Sequence, residues 1–202
     1  MNRAQKKAWE KAYTLHGRLW SRVHDKWFET SDGDLILDMG CGTGKSSEQM
    51  KGRIIAIDFS RKALNIARGQ VRKINPICAD ACYLPFAESS FDLVRASFIL
   101  GHLNREEQER TINEIHRVMK NEGAGAFEVF STNDYRFQKA RSSVSSPMNK
   151  NEISHQFFTA DQLKDLLSGF RIKNMNIIEW RQKAGEAKKM NRSIIRAFVM
   201  KK

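Results

Sequence analysis

The segment 38–44, with the sequence DMGCGTG, follows directly on the apolar run LIL at residues 35–37. Alternating glycines let the backbone turn sharply and approach a ligand closely, which side chains would otherwise prevent. A buried strand that ends in an acid, followed by such a turn and a helix, is typical of ligand sites in parallel α/β sheets. The segment therefore predicts an α/β fold with its ligand at the carboxyl ends of the strands.

A second acid stands twenty residues further on, where the apolar run at residues 54–57 ends in Asp58. An acid at the tip of the next strand is the usual residue for binding the two hydroxyl groups of a ribose. Together, the glycine-rich turn and Asp58 predict a cofactor that contains a nucleoside.

Three classes of cofactor use a glycine-rich turn between a strand and a helix. A dinucleotide site has the pattern GxGxxG, but here the third glycine, Gly44, comes one residue too early. A phosphate loop, GxxxxGK[ST], matches at Gly44-Lys45-Ser46, but Met39 stands where its first glycine belongs. Asp38 would also repel a triphosphate unless a metal ion intervened.

S-Adenosylmethionine fits the same residues better because it carries no phosphate. Its ammonium group tolerates a nearby carboxylate such as Asp38, its carboxylate suits a helix N-terminus, and its ribose suits Asp58. The sequence therefore favours S-adenosylmethionine as the cofactor. A phosphate-loop nucleotide hydrolase remains as an alternative, because Gly44-Lys45-Ser46 matches the end of that motif.

More motifs follow along the chain. Residues 77–81, ICADA, place Asp80 at the end of a third apolar segment, where its carboxylate can accept a hydrogen bond from an adenine amino group. Four segments come after it: LPFAESSFDLV at 84–94, ASF at 96–98, HL at 102–103 and EIHRVMKNEG at 114–123. In this order, the segments strongly resemble the class I S-adenosylmethionine-dependent methyltransferases, particularly the methyltransferase 11-like group.

The resemblance covers residues 35–130 and implies a Rossmann-like, doubly wound α/β sheet with helices on both faces. It further implies seven strands in the order 3-2-1-4-5-7-6, the last of them antiparallel. Apolar and helical segments alternate along the chain, as such a sheet requires. We predict strands at 35–38, 53–58, 74–78, 92–97, 124–130, 171–180 and 193–200, and helices at 44–51, 61–69 and 105–120.

We predict a single methyltransferase domain over residues 1–202. Residues 1–30 form an N-terminal helical cap, in which a helix over 4–28 is interrupted at Gly17. Residues 31–130 form the cofactor-binding core, and the polar stretch 131–157 is either a substrate lid or a simple surface loop. Residues 158–202 supply a short helix and a closing hairpin.

Ten residues are assigned to the cofactor site. Cys41 is expected to act as a small filler that contributes its backbone amide, and Ser97 matches a family position that meets the methionine end of the cofactor. Gly44 belongs to the same turn as the other glycines. The full set is Asp38, Gly40, Cys41, Gly42, Gly44, Asp58, Phe59, Asp80, Ala81 and Ser97.

The expected reaction is direct in-line transfer of a methyl group, which needs few catalytic side chains because the sulfonium is already activated. His102 matches a histidine that is common after the fourth strand in the family, and it is the candidate general base. The absence of an Asn-Pro-Pro-Tyr motif after the fourth strand weighs against methylation of adenine amino groups. A catalytically silent module that only binds S-adenosylmethionine remains an alternative.

The net charge of +12 lies entirely at the two ends of the chain. Residues 31–170 carry equal numbers of basic and acidic residues, whereas residues 171–202 carry ten basic residues against two acidic ones. A basic rim at the cavity mouth favours an anionic acceptor, with structured RNA preferred over a small molecule, although a merely solvated surface explains the charge equally well. The rim residues are Tyr13, Arg18, Lys188, Lys189 and Arg192.

The composition predicts a cytoplasmic protein that does not enter a membrane. Hydrophobic residues make up 41% of the chain, but no apolar run is long enough to cross a bilayer, and no signal peptide is recognisable at the N-terminus. Three cysteines without paired spacing do not suggest a disulfide framework. Cys78 and Cys82 lack further ligands at suitable spacing, so no metal site is expected.

Overall fold

The computed structural model describes residues 3–17, 19, 27–142, 153, 155–184 and 188–202. Its seven strands are β1 (Leu35–Met39), β2 (Arg53–Asp58), β3 (Ile74–Cys78), β4 (Phe91–Ser97), β5 (Met119–Phe130), β6 (Phe170–Ala184) and β7 (Lys188–Lys201). They form one sheet in the order β3-β2-β1-β4-β5-β7-β6. Strands β1 to β5 are parallel, and β7 is antiparallel to both of its neighbours. The predicted strand order and the antiparallel last strand are confirmed.

Within the described ranges, five α-helices accompany the sheet: α1 (Arg3–His16), α2 (Arg61–Gln70), α3 (Arg105–Val118), α4 (Tyr135–Ser142) and α5 (Ala160–Leu166). Short 3-10 turns lie at Ser47–Gln49 and Ile99–His102. None of these described helices is long and apolar enough to cross a lipid bilayer.

The two faces of the sheet are covered by different helices. Side chains alternate between the faces of a strand, and in β1 Ile36 joins the core cluster that includes Ala67 of α2. Its neighbour Leu37 joins the opposite cluster, which contains Ile115 of α3 and Leu163 of α5. A parallel sheet buried on both faces is the reason why the central strands are mostly apolar on both faces.

The predicted helix over residues 44–51 is wrong. The chain forms only a 3-10 turn at Ser47–Gln49, and Met50 is already extended. Gly44 has a φ of +76°, which no right-handed helix contains, and the Ser47 hydroxyl donates to Asp38. A serine side chain bonded in this way competes with helix formation, so the chain returns quickly to β2.

Helix boundaries elsewhere follow local signals closely. Two helices begin with a capping box: Asn104 with Glu107 begins α3, and Thr159 with Gln162 begins α5. The N-terminal helix α1 ends where a break was predicted, because Gly17 has a φ of +60° and donates its N–H to the Tyr13 carbonyl. The rest of the predicted helix falls largely on residues 18 and 20–26, which lie outside the described residues.

The polar stretch 131–157 was predicted to be irregular, but it contains helix α4. The carboxylate of Asp134 accepts the backbone N–H of Arg136 at 3.0 Å and so begins this helix. Residues 143–152 and 154 lie outside the described residues, so the predicted lid is only partly visible. The stretch returns to the sheet at Phe158, which forms an isolated bridge with Ser131.

The closing hairpin is longer than predicted, with 15 residues in β6 and 14 in β7. Its inner half continues the sheet, since Ile194 to Met200 pair with β5. Its outer half extends beyond β5, where Trp180 pairs with Arg192. The extension brings residues of β6 and β7 to the edge at which the parallel strands end.

Candidate functional site

A cavity of about 400 Å³ lies at the carboxyl ends of the parallel strands. The strand order changes direction there, because β2 and β3 follow on one side of β1 whereas β4 and β5 lie on its other side. Ligands of open α/β sheets bind in such a crevice. Eight of the ten predicted cofactor residues line the cavity: Gly40, Cys41, Gly42, Asp58, Phe59, Asp80, Ala81 and Ser97.

The glycine-rich turn forms the floor of the cavity. Gly40 and Gly42 have φ values of +66° and +53°, a region that other residues rarely adopt. A Cβ atom on Gly42 would lie 2.8 Å from the Tyr13 hydroxyl of α1, so the helix packs directly onto the turn. The Cys41 N–H donates to the Ile57 carbonyl at 3.0 Å, so this amide already has a partner within the protein, and its predicted contribution to the ligand stays a prediction.

Asp58 is the most buried acid of the cavity wall. Its two carboxylate oxygens accept the N–H groups of Gly42 at 2.9 Å and Ser60 at 2.8 Å. Burial raises the pKa of Asp58 to about 6, although these two backbone bonds act to lower it. A carboxylate has about four acceptor positions, so two remain for the paired hydroxyl groups of a ribose.

Asp80 lies further along the same wall and is held by α1. Its carboxylate accepts the Lys6 ammonium at 2.7 Å and the Cys82 N–H at 3.1 Å. Burial acts to raise the pKa of Asp80, but the hydrogen bonds from Lys6 and Cys82 hold it below its usual value. The predicted role of Asp80 toward an adenine amino group stays a prediction, and Lys6 already uses one of its oxygens.

Asp38 and Gly44, the other two predicted cofactor residues, lie behind the wall. Asp38 is fully buried and forms an ion pair with Arg95 at 2.9 Å, and Arg95 itself lines the cavity. A Cβ atom on Gly44 would meet Ala67 and Ile74 at 3.3 Å and 3.0 Å, so this glycine allows α2 to pack closely. In the structure, these two residues position the wall rather than form it.

Ser97 ends β4 and is fixed by the neighbouring strand. Its hydroxyl donates to Glu128 of β5 at 2.8 Å, and Arg196 of β7 donates to the other oxygen of Glu128 at 2.9 Å. Phe98 follows with a φ of +62°, so the chain turns sharply toward the cavity. Ser97 lies 31 positions and Arg196 lies 68 positions from Glu128 in the chain. No local sequence motif could therefore reveal this group of contacts.

His102, the candidate general base, lines the cavity beyond Ser97. Its ring lies edge-on to Trp9, with 4.9 Å between the ring centroids, and 4.5 Å from the ring of His155. Burial, together with the nearby charges of His102, Arg136 and Arg192, lowers the pKa of His155 to about 3. His155 is therefore a neutral, apolar-packed neighbour of His102 at neutral pH.

The far wall of the cavity comes from β5 and the extended hairpin, in the residues Phe130, Trp180, Gln182 and Arg192. Of the predicted rim residues, Tyr13 and Arg192 line the cavity. Arg18 lies outside the described residues, and the structure describes only the backbone of Lys188 and Lys189. Among the described residues, no group of side chains has the composition of a metal site. The thiols of Cys78 and Cys82 form hydrogen bonds with backbone and hydroxyl oxygens instead.

Comparison with known proteins identifies the core. Residues 37–127 match the family described as "Methyltransferase domain". These residues run from β1 to β5, and this part of the chain is similar to the class I methyltransferases. A demethylmenaquinone methyltransferase of Corynebacterium urealyticum is 36% identical over 118 residues, which are 57% of this chain and 50% of that enzyme. An uncharacterized protein of Methanocaldococcus jannaschii is 36% identical over 111 residues, 54% of this chain and 42% of that protein.

The methyltransferase domain thus spans about half the length of the curated relatives it matches. A solved structure of an S-adenosylmethionine-dependent methyltransferase from Anabaena variabilis covers 100% of this chain and 96% of its own, with a TM-score of 0.78. Its sequence identity is only 15%, so this likeness shows the fold alone. The resemblance found in the sequence motifs is confirmed.

The family makes S-adenosylmethionine the cofactor of this methyltransferase domain, as the sequence predicted. The cavity fits that group in two respects. Asp58 presents a buried carboxylate with unused acceptor positions, and Gly40 and Gly42, which carry no side chains, line the cavity with backbone atoms. The motifs did not reveal Arg95, Trp180 or Gln182, since nothing in the local sequence signals that they reach the cavity.

Proposed function

We propose that this chain is an S-adenosylmethionine-dependent methyltransferase that acts on a small, planar acceptor. The main observation behind this proposal is one cavity that is lined by Asp58 as well as by the rings of Phe130 and Trp180. Ligand pockets lined by aromatic rings with a few polar groups favour flat, partly apolar molecules. The names of the relatives, which include demethylmenaquinone methyltransferases, support a small-molecule acceptor as well.

When bound, S-adenosylmethionine supplies a methyl group on a positively charged sulfur, which needs no further activation. Asp58 would hold the ribose hydroxyls, and the turn at Gly40 and Gly42 would allow the backbone to approach the methionine portion. Trp9 and Tyr13 of α1 cover the cavity and exclude water from it. The protein thus contributes orientation and desolvation, which account for much of the rate in transfers between bound groups.

His102 would accept a proton from the acceptor where the nucleophile is a hydroxyl or amine. Its ring lies beside His155, which in turn lies 6.1 Å from Phe130 at the acceptor end, and His155 and Trp9 fix the ring of His102 from two sides. A general base within reach of the nucleophile accelerates transfer by about 10²–10⁴-fold. We therefore expect His102→Gln to lower kcat while leaving cofactor affinity unchanged.

The predicted domain organisation is part of this proposal. Helix α1 would act as the cap of the cavity, because Lys6 pairs with Asp80 and Glu10 accepts the N–H of Arg61 at the start of α2. The stretch 131–157 would act as the lid on the acceptor side, where Phe157 packs against Phe130. A simple surface loop remains the alternative for that stretch.

The prediction that structured RNA is the acceptor receives no support from the relatives. The basic residues that favoured RNA include Lys188 and Lys189, whose side chains are not described, whereas Arg192 is turned into the cavity wall. We therefore place RNA second to a small molecule. Loss of RNA binding on changing Lys188 and Lys189 to Gln, with a steep dependence on salt, would restore it to first place.

A labelled-methyl assay tests the proposed function. The purified chain is incubated with methyl-labelled S-adenosylmethionine and a cell extract separated into protein, nucleic acid and metabolite fractions. We expect label in the metabolite fraction, and several-fold less of it with Asp58→Ala at a cofactor concentration near the wild-type Kd. Label only in nucleic acid would support RNA, and no label in any fraction would support a silent binding module.

A second titration addresses the phosphate-loop alternative. The chain is titrated with S-adenosylhomocysteine and, separately, with ATP and magnesium. We expect binding of the first ligand only, because Asp38 and Asp58 lie at the glycine-rich turn with no compensating metal ligands among the described residues. Tight binding of ATP without binding of S-adenosylhomocysteine would favour the hydrolase.

A further inference from the structure

A compact arginine cluster stands behind the acceptor end of the cavity. Asp134 is completely buried and accepts Arg136 Nε at 2.9 Å, Arg192 Nε at 2.8 Å and the Ser193 N–H at 3.2 Å. Two guanidinium groups therefore share one carboxylate, which leaves one positive charge. Glu179, the nearest other described carboxylate of the hairpin, bonds to side chains other than these arginines.

Aromatic rings hold both guanidinium groups in place. The Cζ atom of Arg136 lies 3.9 Å from the centre of the Phe130 ring, and that of Arg192 lies 5.6 Å from the centres of the Phe130 and Trp180 rings. Stacked guanidinium groups keep their hydrogen-bonding edges free, because the ring occupies only the face. The cluster is thus preorganised, with Arg192 as its member on the cavity wall.

Arg192 retains donor capacity toward the cavity. Its Nε donates to Asp134, and its Nη1 donates to Gln182 at 2.6 Å, which leaves Nη2 with no acceptor among the residues that the structure describes. A largely buried guanidinium with an unused donor beside aromatic rings is suited to a carboxylate or another small oxyanion. His155 adds no charge to this surface at neutral pH, because burial keeps it unprotonated.

We propose that Arg192 binds an oxyanion on the methyl acceptor, with Gln182 beside it and Phe130 and Trp180 in contact with the planar part. The acceptor is therefore a small aromatic or conjugated acid, and Arg192 determines its orientation toward the methyl group. This inference rests on the proposed function, since it describes the acceptor of that same cavity. Asp134 and Arg136 act as positioning residues that fix the Arg192 guanidinium.

Ligand-observed NMR on the full chain saturated with S-adenosylhomocysteine tests the inference. The probes are benzoate and benzyl alcohol, which share a ring and differ in charge. We expect benzoate to bind about tenfold more tightly than benzyl alcohol, the size of one charged hydrogen bond. Arg192→Gln and Arg192→Lys should both remove this preference, because lysine keeps the charge toward Asp134 but loses the planar fork.

Arg181→Gln is the matched control. Arg181 lies on the same strand between Trp180 and Gln182, is exposed, and does not line the cavity, so its loss removes the same charge from the hairpin. We expect this variant to keep the benzoate preference in full. The affinity for S-adenosylhomocysteine should be unchanged in all three variants, which also shows that they are folded.

Equal binding of benzoate and benzyl alcohol by the wild-type chain would overturn the inference, even if Arg192→Gln failed to fold. A benzoate preference that survives in folded Arg192→Lys, or is lost in Arg181→Gln, would overturn it too. Labelled methyl found on an uncharged metabolite, with no dependence on Arg192, would leave the proposed function standing without the anion site. A benzoate preference without any methyl transfer would support the anion site but contradict the proposed function.

Discussion

The two ends of the cavity are built in different ways. At the nucleoside end, acids at the tips of neighbouring strands each accept a backbone N–H from two residues later, Asp58 from Ser60 and Asp80 from Cys82. At the acceptor end, the groups come from distant parts of the chain, and Asp134 meets Arg192 58 residues further along. The first end reuses a local motif common to a family, whereas the second depends on how the hairpin crosses the sheet edge.

The electrostatic character of the ends differs as well. The nucleoside end presents carboxylates, which suit hydroxyl and amino donors of a ligand, and the acceptor end presents a guanidinium among aromatic rings. A cationic ligand group is attracted to the carboxylates of the nucleoside end, and an anionic group is attracted to the guanidinium of the acceptor end. The charges of the cavity therefore favour one orientation of a bound ligand. If this comparison is right, changes at one end should leave binding at the other end intact.

The largest effect on cofactor affinity is expected from Gly42→Val. A β-branched residue at a φ of +53° is strained, and its side chain would enter the space between the turn and Tyr13. We expect binding of S-adenosylhomocysteine to fall below detection in calorimetry. Gly33→Val is the control, because a Cβ at Gly33 meets nothing within 4 Å. A Gly42→Val variant that is folded and binds normally would exclude the turn from the site.

The next largest effect is expected from Asp58→Ala, which removes the charged acceptor for the ribose hydroxyls. We expect the free energy of binding of S-adenosylhomocysteine to weaken by ~1.5–3 kcal/mol. Asp32→Ala, at an exposed turn position, serves as the control and should have no effect. Unchanged affinity in Asp58→Ala would contradict the assignment of the nucleoside end directly.

The pH dependence of binding should report the same carboxylate. Burial raises the pKa of Asp58 to about 6. Ionisation of Asp58 therefore lowers the stability of the folded protein as the pH rises through that value. Ribose binding, in contrast, favours the ionised carboxylate. We expect affinity to be constant above pH 7 and to fall about tenfold near pH 5, where a tenth of the group is ionised. Calorimetry from pH 5 to 8 measures this, and an equally steep profile in Asp58→Asn would assign the titration to another group.

A smaller loss is expected from Asp80→Ala, because only one neutral donor on adenine is involved. The free energy of binding should weaken by ~0.5–1.5 kcal/mol. Lys6 loses its partner in this variant, but its side chain is more than a third exposed and remains solvated. A loss larger than that in Asp58→Ala would show that the ranking of the two carboxylates is wrong.

The smallest effect on the cofactor should come from Trp180→Leu at the acceptor end. We expect S-adenosylhomocysteine affinity to stay within ~0.5 kcal/mol of the wild-type value, as for distant sites that share no partners. Incorporation of labelled methyl into the metabolite fraction should fall, since the ring of Trp180 contacts the acceptor in our proposal. If Trp180→Leu lowered the S-adenosylhomocysteine affinity as strongly as the incorporation of methyl label, the two ends of the cavity would not be independent.

The sequence by itself predicted the parallel sheet and the acids at its strand tips, and the resemblance to a known family supplied the strand order. Apolar runs ending at Asp38, Asp58 and Asp80 define three strand tips, and parallel strands bring their carboxyl ends to one edge. Local rules were also sufficient at the capping boxes of Asn104 and Thr159. Such features depend on residues close together in the chain, which is why the pattern alone reveals them.

Only the tertiary structure decided what each polar group binds. Asp38 resembles a ligand contact in the sequence, yet it pairs with Arg95 from β4, and the Ser47 hydroxyl that it accepts interrupts the predicted helix. Likewise, the length of the hairpin places Trp180 and Arg192 on the cavity wall. Buried polar groups take whichever partners packing brings within reach, and these partners lie far away in sequence.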